Sequence, residues 1–98
     1  MQNFRDYGID PALVERLKKK AKKQPGRERV KRIAEGVTKM DLQNAVTVRK
    51  LIGRVSSTLG EPISPEQQDR MTRFIVDQEI DPNNALHMIK LYAMFRKL

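Results

Sequence analysis

Ninety-eight residues make one domain with room for a single hydrophobic core. The absence of cysteine excludes disulfide frameworks, thiol chemistry and cysteine-based zinc sites, and it suits a reducing compartment. Twenty Lys and Arg against twelve Asp and Glu give a formal charge of +8, which points to an acidic partner: nucleic acid, an anionic membrane surface or an acidic protein face.

The charge is unevenly placed. Residues 1–40 hold 12 basic and 5 acidic side chains, whereas residues 41–98 hold 8 and 7. The opening MQNFRDYGID has no charged stretch followed by an apolar one, so no signal peptide is read. No apolar run approaches the roughly 18 residues of a membrane span, and a cytoplasmic protein without integral membrane association is expected. Single-domain organisation over residues 1–98 is also expected, with a basic N-terminal helix in 1–26 joined to a helical body in 27–98. Whether that first helix docks or swings on Gln24-Pro25-Gly26 is open at this level.

Three helix starts share one device: Ile9-Asp10-Pro11, Ile63-Ser64-Pro65 and Ile80-Asp81-Pro82. The Asp or Ser oxygen accepts from free backbone N–H groups, and proline fits the first helical position because its missing N–H would lack a partner there. Ser64 with Gln67 has capping-box spacing, and Ile9 can staple onto Val14. The first helix runs from about Pro11 to Lys23, with Leu13, Val14, Leu17 and Ala21 on one stripe. A second spans about Arg27 to Lys39 on Val30, Ile33, Ala34 and Val37. The third, about Leu42 to Leu59, carries Ala45, Val48, Leu51, Ile52, Val55 and Leu59, and Gly60 suits the residue beyond its end. A fourth covers Pro65 to about Gln78 and buries Met71, Phe74 and Ile75. The fifth, Pro82 to Leu98, is apolar nearly all round. No stretch alternates as a strand. The expected fold is all-α, a small bundle of about five short helices with no sheet.

The densest feature is LKKKAKKQPGRERVKR, Leu17 to Arg32, where nine of sixteen residues are Lys or Arg. Lys18, Lys19, Lys20, Lys22 and Lys23 spread over all of the first helix outside its apolar stripe. Arg27, Arg29, Lys31 and Arg32 do much the same on the second. That distribution describes a solvated surface, with a polyanion-binding surface as its rival. No aromatic residue interleaves the run to stack on bases, so nucleic-acid binding there would be sequence-blind and salt-sensitive. A DNA-reading helix-turn-helix across LGEPISP is disfavoured: Glu66 and Asp69 fall where its second helix should be packed, and that helix carries net negative charge.

Catalysis has little to stand on. His87 sits among apolar neighbours with no carboxylate or nucleophile placed beside it. Metal-ligand spacing and a glycine-rich phosphate loop are both missing, so neither cofactor nor metal is expected. Two features read as interaction surfaces. The last helix exposes or buries Tyr92, Met94 and Phe95, as a bundle centre or as a dimer or partner face. Gly53, inside the third helix, costs about 1 kcal/mol relative to alanine unless a helix crosses closely there.

The segment AVTVRKLIGRVSSTLGEPISPEQQDRMTRFIVDQ resembles stage VI sporulation protein F of endospore-forming bacteria. The likeness rests on Thr47-Val48-Arg49, Leu51-Ile52, Val55, Gly60, Pro62, Glu66, Met71 and Ile75, with weaker similarity from about Val30 to Met88. Lys18 to Lys23 have no recognised counterpart in it. The resemblance implies a non-enzymatic factor acting late in sporulation, in the mother cell, in support of spore-coat assembly, with no catalytic residues to carry over. Arg49 and Arg54, beside the third helix's apolar stripe, are candidate partner-surface residues, and Arg49 is also within reach of Glu66 or Asp69. The expected function is a small adaptor binding a protein partner, with the last helix and the acidic fourth helix as candidate surfaces, or a homodimer through the last helix. A sequence-nonspecific nucleic-acid accessory protein is the alternative.

Overall fold

The computed structural model describes residues 4–84 and Leu86. A 3-10 turn (Phe4–Tyr7) precedes five α-helices: α1 (Pro11–Lys22), α2 (Gly26–Ala34), α3 (Lys39–Gln43), α4 (Ala45–Leu59) and α5 (Pro65–Asp77). No strand occurs among the described residues. The fold is all-α, as the helical periodicity requires.

Both fully described Ile-x-Pro starts behave as capped helix origins. Asp10 Oδ1 accepts from the Ala12 N–H at 2.9 Å, and Ser64 Oγ from the Gln67 N–H at 3.1 Å. Ile9 and Val14 are both buried, as a hydrophobic staple demands. The third start differs: Asp81 Oδ1 accepts from the Asn83 N–H and the Asp81 carbonyl from the Asn84 N–H, both at 3.0 Å, so Pro82 and Asn83 form a turn rather than the opening of a helix. The helix expected over Pro82–Leu98, with His87, Tyr92, Met94 and Phe95, lies outside the described residues apart from its first few positions.

The middle of the chain departs from the expected pattern. α2 stops at Ala34 rather than near Lys39, because Gly36 takes a left-handed turn at φ +85°. Thr38 then starts a separate one-turn helix through a full capping box: its hydroxyl accepts from the Asp41 N–H at 3.1 Å, and Asp41 Oδ2 accepts from the Thr38 N–H at 3.0 Å. Asn44 ends α3 and caps α4, its Oδ1 accepting from the Thr47 N–H at 3.1 Å. The long third helix expected from Leu42 is therefore two helices, and Ala45 is exposed rather than part of the core. The C-terminus of α4 closes as expected. Gly60 donates to Ser57 O at 3.2 Å and Glu61 to Ser56 O at 3.0 Å, the paired bonds of a Schellman motif.

The core gathers Ile9, Leu13, Val14, Val48, Ile52, Met71 and Phe74. Burying each such side chain contributes about 1.5–3 kcal/mol before entropy is counted. Phe4 joins them at 2% exposure, packed edge-on against Phe74 at a centroid distance of 6.5 Å, and Tyr7 meets the same ring at 5.3 Å. The N-terminal turn is thus part of the core. It is also tied down by polar contacts to α5. Gln67 Nε2 and an Arg70 guanidinium N–H donate to the Gly8 carbonyl at 3.2 and 2.9 Å, while Gln67 Oε1 accepts from the Asp10 N–H at 2.9 Å. The Gln67 side chain consequently does not turn back to complete a capping box on Ser64. It holds the N-terminal segment instead.

α1 is fixed at both ends. Leu13 and Val14 are buried at its start. Farther along, Arg16 Nε and Lys20 Nζ reach the two carboxylate oxygens of Glu61 at 2.6 and 2.8 Å. Beyond α1 the chain turns so tightly that Gly26 abuts the preceding helix: a Cβ there would sit 2.6 Å from the Lys20 carbonyl oxygen and 3.0 Å from Leu59 Cδ2. Only glycine allows that approach. Gln24-Pro25-Gly26 therefore forms a packed corner that sets where α2 lies against α4.

Candidate anion-binding cleft

α2 has no fully buried residue. Its Val30 and Ile33 are half-buried, as is Val37 just beyond its end, and it lies on α4 as a partition between two spaces. On one side, Val30 joins Leu17, Ala21, Leu51, Val55 and Ile63 around an apolar cavity of about 510 Å³ that reaches into the core. On the other side is an open cleft of about 740 Å³, lined by Arg29, Arg32 and Ile33 of α2 and by Lys50, Gly53, Arg54, Ser57 and Thr58 of α4.

Helical spacing assembles this cleft. Arg29, Arg32 and Ile33 stand at i, i+3 and i+4 on α2, and Lys50, Gly53, Arg54 and Ser57 at i, i+3, i+4 and i+7 on α4, so each set shares one face. Among the described residues, four cations and no carboxylate line the walls. Arg29, Lys50 and Arg54 have no ion-pair partner among the described residues, and Arg32 has only a long 3.8 Å contact to Glu28 within its own helix. Ile33, the glycine backbone and the aliphatic stems of the arginines form an apolar floor.

Gly53 belongs to this floor. The crossing of α4 and α5 does not require it, since a Cβ at position 53 would meet only Gln68 Nε2, at an ordinary 3.4 Å. That amide already donates to the Arg49 carbonyl at 3.0 Å.

The other sequence-predicted site residues fall in four groups. Lys20 is engaged with Glu61, with a further 3.3 Å bond to the Gly60 carbonyl. The Lys20 ammonium, then the Arg16 guanidinium, hold the Glu61 carboxyl below the usual glutamate value. Lys18 lies half-buried along the apolar cavity. Lys19, Lys22, Lys23, Arg27 and Lys31 are exposed and converge on no common feature. Arg49 and Arg54, five positions apart and so on different faces of α4, part company: Arg49 pairs with Asp69 of α5, while Arg54 enters the cleft. The acids of α5 are likewise matched within the chain. Glu66 pairs with Arg70, Asp69 with Arg49, and Asp77 accepts from the Tyr7 hydroxyl at 2.6 Å, which raises the Tyr7 pKa. Glu61, Lys50, Ser57 and Thr58 were not singled out from sequence. The only legible trace of the cleft on α4 is Lys50 and Arg54 at i, i+4 around a mid-helix glycine.

No group of His, Cys, Asp or Glu that could hold a metal ion occurs among the described residues, nor is any described helix long and apolar enough to cross a membrane. The profile of one protein family, stage VI sporulation protein F, matches residues 14–88. The chain belongs to the stage VI sporulation protein F family. Membership points to a role in sporulation. The match begins at Val14, so it takes in most of α1 and the whole basic run, including Lys18 to Lys23, for which the resemblance, reaching back only to about Val30, offers no counterpart. Every residue lining the cleft lies within the family region. No curated protein and no solved structure matches the chain significantly.

Proposed function

We propose that this protein is a non-enzymatic cytoplasmic sporulation factor that works as an adaptor, recognising a protein partner through the α2–α4 cleft. The observation that carries this reading is the set of cations in that cleft. Arg29, Lys50 and Arg54 lack carboxylate partners among the described residues and share one cleft with Arg32. Like charges held together repel one another in the free protein, and an acidic ligand relieves that repulsion as it binds. An apolar floor under such a ring of charge suits an amino-acid side chain.

Nonspecific nucleic-acid binding, the second reading, is favoured by the lysines of α1. They point in several directions and carry no aromatic platform. The two readings separate in one titration. Binding to generic duplex DNA is measured at about 50 and 200 mM salt, for the native chain and for a variant with Lys18, Lys19, Lys22 and Lys23 changed to Gln. Lys20 is left alone because it holds Glu61. The adaptor reading expects little affinity at either salt. Binding that weakens by a factor of about 10³ or more across that range, and disappears in the variant, would replace it with the nucleic-acid reading.

A further inference from the structure

Within the protein-partner reading, on which this step rests, we propose that the α2–α4 cleft takes an acidic peptide segment. Its carboxylates meet Arg29, Arg32, Lys50 and Arg54, and an apolar side chain between them rests on Ile33. Three features of the cleft select this ligand. Arginine supplies three of its four cations, and the planar guanidinium fork matches a carboxylate through two parallel hydrogen bonds, a geometry lysine lacks. The floor is apolar, so a ligand bearing charge alone would leave it uncovered, whereas a segment mixing Asp or Glu with Leu or Ile would cover it. The Ser57 and Thr58 hydroxyls, which also line the cleft, can donate to a backbone carbonyl or a further carboxylate.

Nucleic acid fits less well. Neighbouring packed helices have axes about 8–10 Å apart, too close for a duplex to enter between them. A single strand would look for aromatic rings on which to stack, and no aromatic residue lines the cleft among the described residues. The same surface would accept inorganic phosphate only weakly, because one small anion cannot engage cations spread over two helices.

Fluorescence anisotropy with a labelled peptide of Glu-Leu-Glu-Glu repeats tests the assignment. The same peptide with Gln for Glu and a labelled DNA duplex serve as comparison ligands. The acidic peptide should bind, and Arg29→Gln/Arg54→Gln should weaken it by about tenfold or more. Lys19→Gln/Lys22→Gln, which removes equal charge from α1, should leave its affinity within about twofold of the native value. The Gln peptide should not bind. Lys50→Gln/Arg54→Gln leaves α2 untouched and should repeat the loss, which guards against a folding defect in the first variant. Equal weakening by the cleft and α1 variants would overturn the proposal, because net charge rather than the cleft would then be responsible. Failure of the acidic peptide to bind would also overturn it, while leaving the protein-partner reading to its own test. DNA binding that only the cleft variants abolish would overturn both.

Discussion

Changing Gly26 to Ala probes the corner that places α2, and with it one wall of the cleft. The added methyl would stand 2.6 Å from the Lys20 carbonyl oxygen, well inside any separation that real Cβ atoms show, and 3.0 Å from Leu59 Cδ2. Leu59 can rotate away, but the Lys20 carbonyl belongs to the backbone of α1 and cannot move without displacing a turn of helix. Forcing one carbon into a packed site of this kind costs about 1–3 kcal/mol. Against that, alanine restricts the unfolded chain and returns about 0.4–1 kcal/mol, since Gly26 does not occupy a left-handed conformation. The net expectation is a loss of about 1–2 kcal/mol, or a fall in Tm of several degrees for a domain of this size. Gly53→Ala is the matched control. Its methyl meets only the end of the Gln68 side chain at 3.4 Å, so the usual helical preference for alanine should prevail, with a gain of up to about 1 kcal/mol. Thermal and urea denaturation followed by circular dichroism give both values. A neutral or stabilising Gly26→Ala would mean that α1 and α2 do not meet as described.

The remaining predictions concern the core and the α1 clamp. Phe74→Ala removes the ring against which both Phe4 and Tyr7 pack and should cost about 3–5 kcal/mol, detectable as loss of cooperative unfolding or a greatly lowered urea midpoint. Because Lys20 and Arg16 hold the Glu61 carboxyl below its usual value of 4.5, Glu61 contributes stability that is fully present above that pH and disappears as the pH falls through the lowered value. Glu61→Gln should therefore lower stability at neutral pH and flatten the acid limb of the stability profile. An unchanged acid limb would show that the clamp does not contribute in solution.

Much of the fold could be read from local signals. Asp10 and Ser64 cap where the Ile-x-Pro pattern puts helix starts, and Gly60 ends α4 in the form its position suggests, because caps and Schellman motifs depend on residues within one turn of each other. The break between α2 and α4 was equally local but was overridden by apolar spacing. Gly36 and the Thr38/Asp41 pair outweigh the periodicity that joined Val37 to the preceding stripe and Leu42 to the following one. What the sequence could not give was anything set by distant partners. Phe4 is buried only because Phe74 stands seventy positions away, and Gln67 leaves its own cap for Gly8 and Asp10. The cleft is of the same kind. In sequence, Arg29 and Arg32 sit in a basic run, Arg54 beside an apolar stripe, and Lys50, Ser57 and Thr58 at positions with no signal of their own, until the Gly26 corner brings α2 against α4.

The central claim is that this cleft meets a protein, and a photoreactive benzophenone side chain at position 57 tests it most directly in sporulating cells. Ser57 is an exposed residue of the cleft lining that carries no charge of its own. The account predicts a crosslinked adduct that resists nuclease and yields to protease, with an attached peptide rich in Asp and Glu and a yield that falls in the Arg29→Gln/Arg54→Gln background. An adduct removed by nuclease, or one whose yield is indifferent to those two arginines, would contradict it.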